Sequence, residues 1–486
     1  MIQRRILFSA IAIAGLTACS NDATAPDAVA SPKIGDVAFS ASAVSSGTDT
    51  YLVRFKGNGI PAGFSTTVAG LGGEVIFAHA KVGIAAVSGL TESSASLLAG
   101  KSGIAAVDAD AYTVVGEEYS AVESADAPQS PTNPTLAAFW VRQWNMNAIA
   151  APAAWSAGKL GSSSVKVGII DTGIDYLHPD LYGRVDLSLS RSFLSDAENA
   201  RVPAGFNKIA DLHYHGTHVA ATVASNGLIA AGVTSRTTLV GLRVCNPGVA
   251  PLYQASCPTS GVLAAIAYAA DNGIEIVNMS LGGAFNRRDA SARGGFGPSF
   301  IATINQVMNY ANRNGTTVVV SAGNDATDMD HDGNGFNAYC SASSVICVSA
   351  TGPTGGTSYL NLFNPDAIAP YSNFGRSAVT VAAPGGSFVP VWAACSGFSL
   401  NPALASCATR FYNPTTGAWS GSALGISGTS MASPHVAGVA ALIAANGGKG
   451  NIGSMIRQTA DDLGQSGNDP LYGHGRVNAA RASGAI

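Results

Sequence analysis

Three segments of the chain carry side chains that together could activate a hydroxyl for attack on a carbonyl. Ser430 lies in the segment GTSMASPHVAG at residues 428–438. Its hydroxyl is a weak nucleophile alone and needs a base, which a carboxylate commonly orients. His215, in HGTHVA, supplies an imidazole, and Asp171, in DTG, supplies a carboxylate. These residue types indicate a hydroxyl nucleophile that a base and a carboxylate activate.

The sequence around Ser430 predicts the start of a helix. A glycine-rich turn precedes small apolar residues, and Pro434 is expected in the first turn, where a missing N–H costs no hydrogen bond. Free N–H groups and the positive end of the helix dipole favour negative charge at such a position. An oxyanion could therefore be stabilised next to Ser430.

Each of the other two segments has a competing interpretation when it is taken alone. The sequence Asp-Thr-Gly at Asp171 also occurs in aspartic proteases and in ordinary turns. The two imidazoles of His215 and His218 suggest a metal site. However, their spacing is i, i+3 and no glutamate accompanies them, unlike the metalloprotease motif. We therefore predict that His215 is the base and that His218 is structural.

From about Trp140 onward, apolar runs that read as strands alternate with helical stretches. The strands are predicted at residues 165–170, 238–244, 274–279, 316–320 and 345–348, and the helices at 218–225, 261–272 and 300–313. Strands that are apolar on both faces and separated by helices predict an α/β fold, with a mostly parallel sheet covered by helices on both faces. Functional residues in such folds lie at the carboxyl ends of the strands, where Asp171 is expected.

Taken together, the three segments resemble those of the subtilisin-like serine peptidases, in the same chain order of Asp, His and Ser. The resemblance covers about residues 140–486. It implies that Asp171 orients the imidazole, that His215 takes the proton of the nucleophile, and that Ser430 attacks the scissile carbonyl to form an acyl-enzyme.

Two further segments resemble parts of the same family. Asn324 closes the sequence Ser-Ala-Gly-Asn, which resembles an oxyanion-hole segment, and its side-chain amide would donate to the oxyanion. The resemblance also implies substrate-binding residues, with the peptide added as a strand. These residues are Ser280, Leu281, Gly282, Ser321, Ala322 and Gly323.

The N-terminal residues predict export and a lipid anchor. Residues 1–18 combine two arginines with an apolar run too short to span a bilayer, which is typical of a signal peptide. The following Leu-Thr-Ala-Cys ends at Cys19 and resembles a bacterial lipobox, so Cys19 would be the lipidation site; the alternative is an ordinary signal peptide with a chance cysteine. Residues 19–47 read as a flexible tether. The expected location is the cell surface or a periplasm-facing membrane, with release as a secreted enzyme as the alternative.

The region between tether and peptidase predicts a small domain and a linker. Residues 48–116 alternate like short strands around a helix at 92–99, an α+β pattern that resembles the inhibitory propeptides of the same family. Residues 117–139 are rich in acidic residues and proline, which predicts an exposed activation linker that is easily cut. The chain is therefore expected to inhibit its own peptidase domain at 140–486 until the linker is cleaved.

Cysteines and acidic residues suggest disulfides and, less directly, calcium. Six cysteines remain besides Cys19, and the simplest pairing is local, 245 with 257, 340 with 347 and 395 with 407, among fifteen connectivities. No cofactor is expected to be required. Asp328, Asp330 and Asp332 resemble the start of an EF-hand loop that would hold a structural calcium ion, but Tyr339 stands where that loop needs Glu, and a solvated acidic loop is the alternative.

The predicted function is that of a serine endopeptidase acting on proteins or peptides. The formal net charge of −4 over 486 residues gives no reason to expect nucleic acid as a partner, and a monomer is expected. Two alternatives stay open: a dedicated maturation protease for one partner, and a surface binding protein without turnover. Insertions near residues 285–298, 352–366 and 387–425 are expected to lie at or near the rim of the cleft.

Overall fold

The structure is a computed structural model that describes residues 49–57, 59–117, 119–128, 133–248, 253–286 and 297–486. The predicted signal peptide, the tether and the lipidation site at Cys19 lie outside these residues. The helices are α1 (Phe64–Gly70), α2 (Glu92–Ala99), α3 (Trp144–Ala148), α4 (Ala151–Ser156), α5 (Asp196–Ala200), α6 (His215–Val223), α7 (Thr259–Asp271), α8 (Pro298–Arg313), α9 (Thr429–Ala445), α10 (Ile452–Thr459) and α11 (Ala479–Ala482).

The strands are more numerous and mostly short. They are β1 (Tyr51–Phe55), β2 (Glu74–His79), β3 (Ile84–Ser88), β4 (Ile104–Ala109), β5 (Tyr112–Val115), β6 (Tyr119–Pro128), β7 (Lys166–Asp171), β8 (Arg191–Ser192), β9 (Thr238–Arg243), β10 (Ala255–Pro258), β11 (Ile276–Met279), β12 (Gly283–Asn286), β13 (Thr317–Ser321), β14 (Gly335–Ala338), β15 (Val345–Thr351), β16 (Gly355–Ser358), β17 (Asn361–Phe363), β18 (Val379–Pro384), β19 (Val391–Ala394), β20 (Arg410–Asn413) and β21 (Ala418–Ile426).

A parallel sheet of seven strands forms the centre of the fold, in the order β18-β15-β13-β11-β7-β9-β8. The five predicted strands are its five inner members, so the predicted α/β architecture is confirmed. The two edge strands, β8 and β18, were not predicted. Because the strands are parallel, their carboxyl ends meet at one edge, and Asp171 is the last residue of β7.

Helices cover both faces of this sheet, as side chains along one strand show. Val318 and Val320 of β13 pack into a core with α7 and α8, whereas Val319 between them packs into a second core with α6 and α9. All three valines are fully buried. This alternation explains why the strands read as continuous apolar runs instead of apolar–polar patterns.

Residues 51–109 form a separate antiparallel sheet in the order β2-β3-β1-β4. One face packs on α1 and α2, with Phe64, Val68 and Leu98 in its core. The other face packs on α7 and α8, and the carboxylate of Asp271 on α7 lies 2.8 Å from Nε2 of His79 on β2. Helix α1 was not predicted, because FSTTVAG is short and rich in poor helix formers.

Residues 119–128 form a long strand inside the segment that composition marked as an exposed linker. Strand β6 pairs antiparallel with β21 along its whole length, and most of its described side chains are half-buried. Strand β21 ends at Ile426, four residues before Ser430. The segment is therefore integrated into the sheet that leads to the predicted nucleophile.

Three disulfides join Cys245 to Cys257, Cys340 to Cys347 and Cys395 to Cys407, which confirms the local pairing. Each closes a short loop of the large domain. None of the helices in the described part of the chain combines the length and apolar character that a membrane span requires.

Candidate active site

The three predicted catalytic residues lie at adjoining element ends. Asp171 ends β7, His215 begins α6 and Ser430 is the second residue of α9. Nδ1 of His215 lies 2.8 Å from Oδ1 of Asp171, and both side chains are fully buried. The imidazole is thereby fixed with its other nitrogen, Nε2, directed away from Asp171.

His218 lies one turn further along α6 and has a different environment. Its Nε2 atom is 3.1 Å from the carbonyl oxygens of both Val391 and Leu424, and the residue is fully buried. Burial lowers the pKa of His218 to about 3, so the ring is neutral. It ties α6 to strands β19 and β21 and does not contact Asp171 or Ser430.

Pro434 occupies the sixth position of α9, so the expectation of a first-turn proline is wrong. A proline there removes the helical hydrogen bond to the carbonyl four residues earlier, which is that of Ser430. The hydroxyl of Ser280 donates to this carbonyl oxygen at 2.7 Å. The buried Ser280 thus compensates for the missing N–H and holds the backbone of Ser430.

The carboxylate of Glu117, just beyond β5, occupies the space between these side chains. Its Oε2 lies 3.0 Å from Nε2 of His215. Its Oε1 accepts hydrogen bonds from the Ser430 hydroxyl and, at 3.1 Å, from Nδ2 of Asn324. The backbone carbonyl of Glu117 also accepts a hydrogen bond from the Tyr214 hydroxyl at 2.8 Å. One carboxylate therefore contacts the predicted base, nucleophile and oxyanion donor together.

The charges in this cluster reinforce one another. Burial alone would raise the pKa of Glu117, but the adjacent His215 imidazole and hydrogen bonds from His215 and Ser430 lower it to about 2. Burial alone would lower the pKa of His215, but the carboxylates of Asp171 and Glu117 raise it well above 6.5. An imidazolium between two carboxylates is therefore the state that this arrangement favours at neutral pH.

Asn324 is held so that its amide N–H₂ faces the site. Its Oδ1 accepts hydrogen bonds from both N and Oγ1 of Thr429, each at 2.8 Å, and this fixes which side-chain atom is the donor to Glu117. The preceding Gly323 has φ +101°, and a Cβ there would come 2.5 Å from Nδ2 of Asn373. Only glycine therefore fits this turn without displacing its neighbours.

The remaining predicted binding residues line the same edge of the sheet. Ser321 ends β13, and the carbonyl of Ala322 accepts hydrogen bonds from Asn337 and Asn373. Leu281 is buried and packs in the α7–α8 core, so it contributes backbone and not side chain to the surface. A Cβ on Gly282 would approach the Ala338 carbonyl at 2.7 Å. These residues form a backbone-lined wall next to Ser430.

Strand β5 shows how an extended chain binds beside this wall. It pairs antiparallel with β10, from Tyr112 opposite Pro258 to Val115 opposite Ala255. Thr113 is fully buried between the two segments, and its methyl group would lie 3.4 Å from a Cβ built on Gly283. The chain then continues through Gly116 into the catalytic cluster at Glu117.

Comparison with known proteins agrees with this geometry. A model of the subtilase family, Peptidase S8, matches residues 162–475, which is more than half of the chain. The chain belongs to the subtilase family. Subtilases are serine-type endopeptidases. The segments that contain Asp171, His215, Ser280, Asn324 and Ser430 lie within the matched region, whereas Glu117 precedes it.

Several curated subtilases are similar to the chain. Thermitase of Thermoactinomyces vulgaris is 31% identical over 348 residues, which cover 71% of this chain and 96% of thermitase. The thermophilic serine proteinase of Bacillus sp. strain AK1 is 32% identical over 333 residues, or 68% of this chain and 64% of that protein.

Solved structures share the fold at lower identity. The epidermin leader peptide processing serine protease of Staphylococcus aureus aligns with a TM-score of 0.65 at 21% identity, over 90% of this chain and 98% of that one. Fervidolysin of Fervidobacterium pennivorans aligns with a TM-score of 0.62 at 21% identity, over 90% of this chain and 61% of that one. Both alignments reach beyond residues 162–475.

The acidic loop proposed for calcium in this subtilase has other hydrogen-bond partners. The two carboxylate oxygens of Asp330 accept from the backbone N–H groups of Arg376 and Ser377, and Asp328 accepts from His331. Within the described ranges, no group of three or more His, Cys, Asp or Glu side chains is arranged to hold a metal ion. Both carboxylate oxygens of Asp330 are therefore engaged by backbone donors, and calcium binding by this loop stays an untested prediction.

Two of the three insertions can be located in the structure. Residues 352–366 contain the β16–β17 hairpin, and residues 387–425 contain β19, β20 and most of β21. The 387–425 insertion provides the sheet on which β6 packs. It supports the residues that lead into Ser430, which the sequence alone did not indicate.

Proposed function

We propose that this protein is an exported serine endopeptidase, made as a precursor that its own N-terminal region inhibits. The observation that carries the proposal is that one carboxylate, that of Glu117, contacts His215, Ser430 and Asn324 at once. Three groups from distant parts of the chain therefore point at one place. A scissile carbonyl at that place would meet a nucleophile, a base and an oxyanion donor.

The proposed reaction uses each group at a stated atom. Oγ of Ser430 attacks the substrate carbonyl carbon while its proton passes to Nε2 of His215, and Asp171 stabilises the imidazolium that forms. Nδ2 of Asn324 donates to the new oxyanion. Collapse breaks the C–N bond, and His215 returns the proton to the leaving amine. Water, deprotonated by His215, then releases the acyl group from Ser430.

The substrate is proposed to be an extended segment of protein or peptide. Strand β5 pairs with β10 through backbone atoms, and a substrate that replaces β5 would make the same hydrogen bonds whatever its side chains. Unfolded casein is a suitable probe, because it offers extended segments. Cleavage by the activated parent and none by Ser430→Ala supports the proposal, whereas an activated parent that leaves casein intact favours a binding protein or a protease dedicated to one partner.

Inhibition is proposed to act through the Glu117 side chain and not only through burial of the cleft. The carboxylate takes the hydrogen bonds that a reacting carbonyl would need from Ser430 and Asn324, and it pairs with His215. A base that is protonated and paired cannot accept the serine proton. Glu117 must therefore leave before the first cleavage can occur.

The pH dependence of the inhibition by Glu117 follows from the shifted pKa values of Glu117 and His215. For Glu117, lowered to about 2, stabilisation is present above its ordinary pKa of 4.5 and is lost as the pH falls toward 2. For His215, with a raised pKa, stabilisation is present below 6.5 and is lost as the pH rises through the raised value. Alkaline pH is therefore expected to release Glu117 and speed conversion.

Replacing Glu117 by alanine is expected to speed conversion of the purified precursor about 10- to 100-fold, since a hydrogen bond to a charged group is worth about 1.5–3 kcal/mol. The measurement is the time course of intact mass after purification. Glu123→Ala is the matched control, because Glu123 lies on β6 and pairs with Arg142 instead of the triad. Slower conversion of Glu117→Ala would mean that Glu117 is needed for recognition of the cleavage site and does not inhibit cleavage.

The activation cut is proposed at one of the two peptide bonds that flank Glu117, because this residue contacts His215, Ser430 and Asn324. Strand β6 would then stay with the mature enzyme, because its pairing with β21 runs over residues 119–128. The mature N-terminus is therefore expected at residue 117 or 118. N-terminal sequencing of the mature form decides this, and a start beyond Pro128 would show that β6 is lost.

Export and anchoring are proposed from residues 1–19 alone. Lipidation of Cys19 would place the peptidase at a membrane surface, through acyl chains worth about 0.8 kcal/mol per buried methylene. Mass spectrometry of the N-terminal peptide from the exported protein reports on it directly. An unmodified Cys19 thiol would exclude the anchor and leave a freely secreted enzyme.

A further inference from the structure

A third carboxylate, Asp211, lies behind the catalytic pair and is fully buried. It precedes α6, and its side chain is hydrogen-bonded to Thr172, His213 and Thr217. Its four hydrogen-bond donors belong to the loop that carries Asp171 or to the turn that carries His215. Buried carboxylates are rare unless they are fully paired, and these four donors provide that pairing.

The contacts of Asp211 join the two catalytic segments. Its Oδ1 accepts from the hydroxyl of Thr172, the residue after Asp171, at 2.8 Å and from the backbone N–H of His213 at 2.9 Å. Its Oδ2 accepts from N and Oγ1 of Thr217, two residues after His215, at 2.9 and 2.7 Å. One side chain thus holds the segments after both Asp171 and His215.

The two threonines extend this connection back to the opposite segment. The hydroxyl of Thr172 accepts from the backbone N–H of Gly216 at 2.9 Å, and that of Thr217 accepts from the N–H of Asp175 at 2.9 Å. The backbones are in close contact, since a Cβ on Gly216 would lie 2.2 Å from the carbonyl oxygen of Gly173. The spacing between the carboxylate of Asp171 and the imidazole therefore depends on this network.

The arrangement suits an ionised carboxylate, because each oxygen of Asp211 accepts from one backbone N–H, that of His213 or that of Thr217. Each threonine hydroxyl accepts from another backbone N–H and donates its own proton to Asp211. All four partners are then donors, two to each oxygen. An asparagine would place its N–H₂ group against a backbone N–H donor in either orientation of its amide. Burial raises the pKa of Asp211 to about 6, partly offset by Thr217 and Thr172, which leaves it ionised at neutral pH.

We propose that Asp211 is a positioning residue that sets the distance and angle between Asp171 and His215 for proton transfer. This rests on the serine peptidase function proposed above. Asp211 does not touch the reacting atoms, so substrate binding on β10 and the 280–283 wall should not depend on it. Its loss is therefore expected to lower kcat and to leave KM nearly unchanged.

The test compares activated Asp211→Asn with activated parent on a soluble peptide substrate, with kcat divided by the number of sites that a fluorophosphonate labels. We expect kcat to fall about 10- to 100-fold, since a displacement of about 1 Å in a catalytic group can cost that much. Asp180→Asn is the matched control, because Asp180 is equally buried and accepts from the N–H groups of Leu228, Ile229 and Ala230. Its kcat should stay within about threefold of the parent.

A second pair of variants keeps the proposal testable if Asp211→Asn does not fold. Thr217→Val removes the hydroxyl that donates to Asp211, whereas Thr217→Ser keeps it. The valine variant should have a lower kcat than the parent, and the serine variant should have nearly the kcat of the parent. A parent without activity would contradict the proposed function and not this inference. An active parent with unchanged kcat in Asp211→Asn, or losses shared equally by Asp180→Asn, would overturn the positioning role.

Discussion

A purified Ser430→Ala precursor is expected to stay at full length under conditions in which the parent converts completely, and to leave casein intact. The hydroxyl of Ser430 is the only donor besides Asn324 that the structure shows on Oε1 of Glu117, and it is the nucleophile in the proposed reaction. Removing the nucleophile costs about 10⁶ in kcat in subtilisin, a member of the same family. The loss should be of this order for both self-processing and casein.

Self-processing and cleavage of a foreign protein test different parts of this prediction. Conversion of the precursor by the parent shows that the cleft can reach the chain near Glu117, and casein cleavage shows that the released cleft accepts other chains. The measurements are intact mass of the precursor over time and release of soluble casein fragments. The protein is expressed in a host without other extracellular proteases, so that contaminating proteases contribute to neither measurement.

Ser349→Ala provides the matched control for this change. Ser349 is a buried serine on β15 whose hydroxyl donates to the carbonyl of Leu471 at 2.7 Å, away from the catalytic cluster. The same loss of one hydroxyl should leave conversion and casein cleavage close to those of the parent. If purified Ser430→Ala were still converted, the propeptide would be removed by another protease and self-processing would be wrong.

The local structure around the proposed catalytic residues could be predicted because its constraints are local. Ser430 needs a turn and a helix start within a few residues, and Asp171 needs only the end of an apolar strand. Both patterns are visible in short windows of sequence. The parallel sheet could be predicted for the same reason, because each inner strand is apolar on both faces. The edge strands β8 and β18 lack so clear a signal, and neither was predicted.

The contact between Glu117 and Ser430 could not be predicted, because it joins positions that are far apart. Glu117 meets Ser430 across 313 positions of the chain. Its own neighbourhood is acidic and proline-rich, which is typical of an exposed linker. Strand β6 was hidden by the same composition, although it pairs with β21 along its length and packs Val122 and Ala127 against the cores of the large domain. Asp211 was missed because its donors come both from Thr172, 39 positions away, and from residues 213–217 next to it, and the sequence does not show that these meet.

Asn324→Ala is expected to lower kcat about 10²- to 10³-fold with little change in KM, the loss found for the corresponding donor in subtilisin. The amide donates to Oε1 of Glu117 at 3.1 Å, so a carboxylate oxygen already takes the hydrogen bond that the oxyanion would need. This donor gains strength as charge develops on the substrate oxygen, so it acts on the transition state more than on binding. Steady-state kinetics of the activated variant on a peptide substrate measure the split between kcat and KM.

The same substitution also removes the acceptor for Thr429, and this second effect has to be separated from the first. Oδ1 of Asn324 accepts from N and Oγ1 of Thr429 at the start of α9. Thr429→Val removes one of these bonds and keeps the amide, so it should lose much less than 10²-fold if oxyanion donation dominates. Asn324→Asp keeps the acceptor but brings a negative charge to the oxyanion, and its kcat should fall at least as far as that of Asn324→Ala. Of Thr429→Val and Asn324→Ala, only the alanine variant loses the amide donor. Equal losses of kcat in these two variants would therefore show that the effect comes from support of α9.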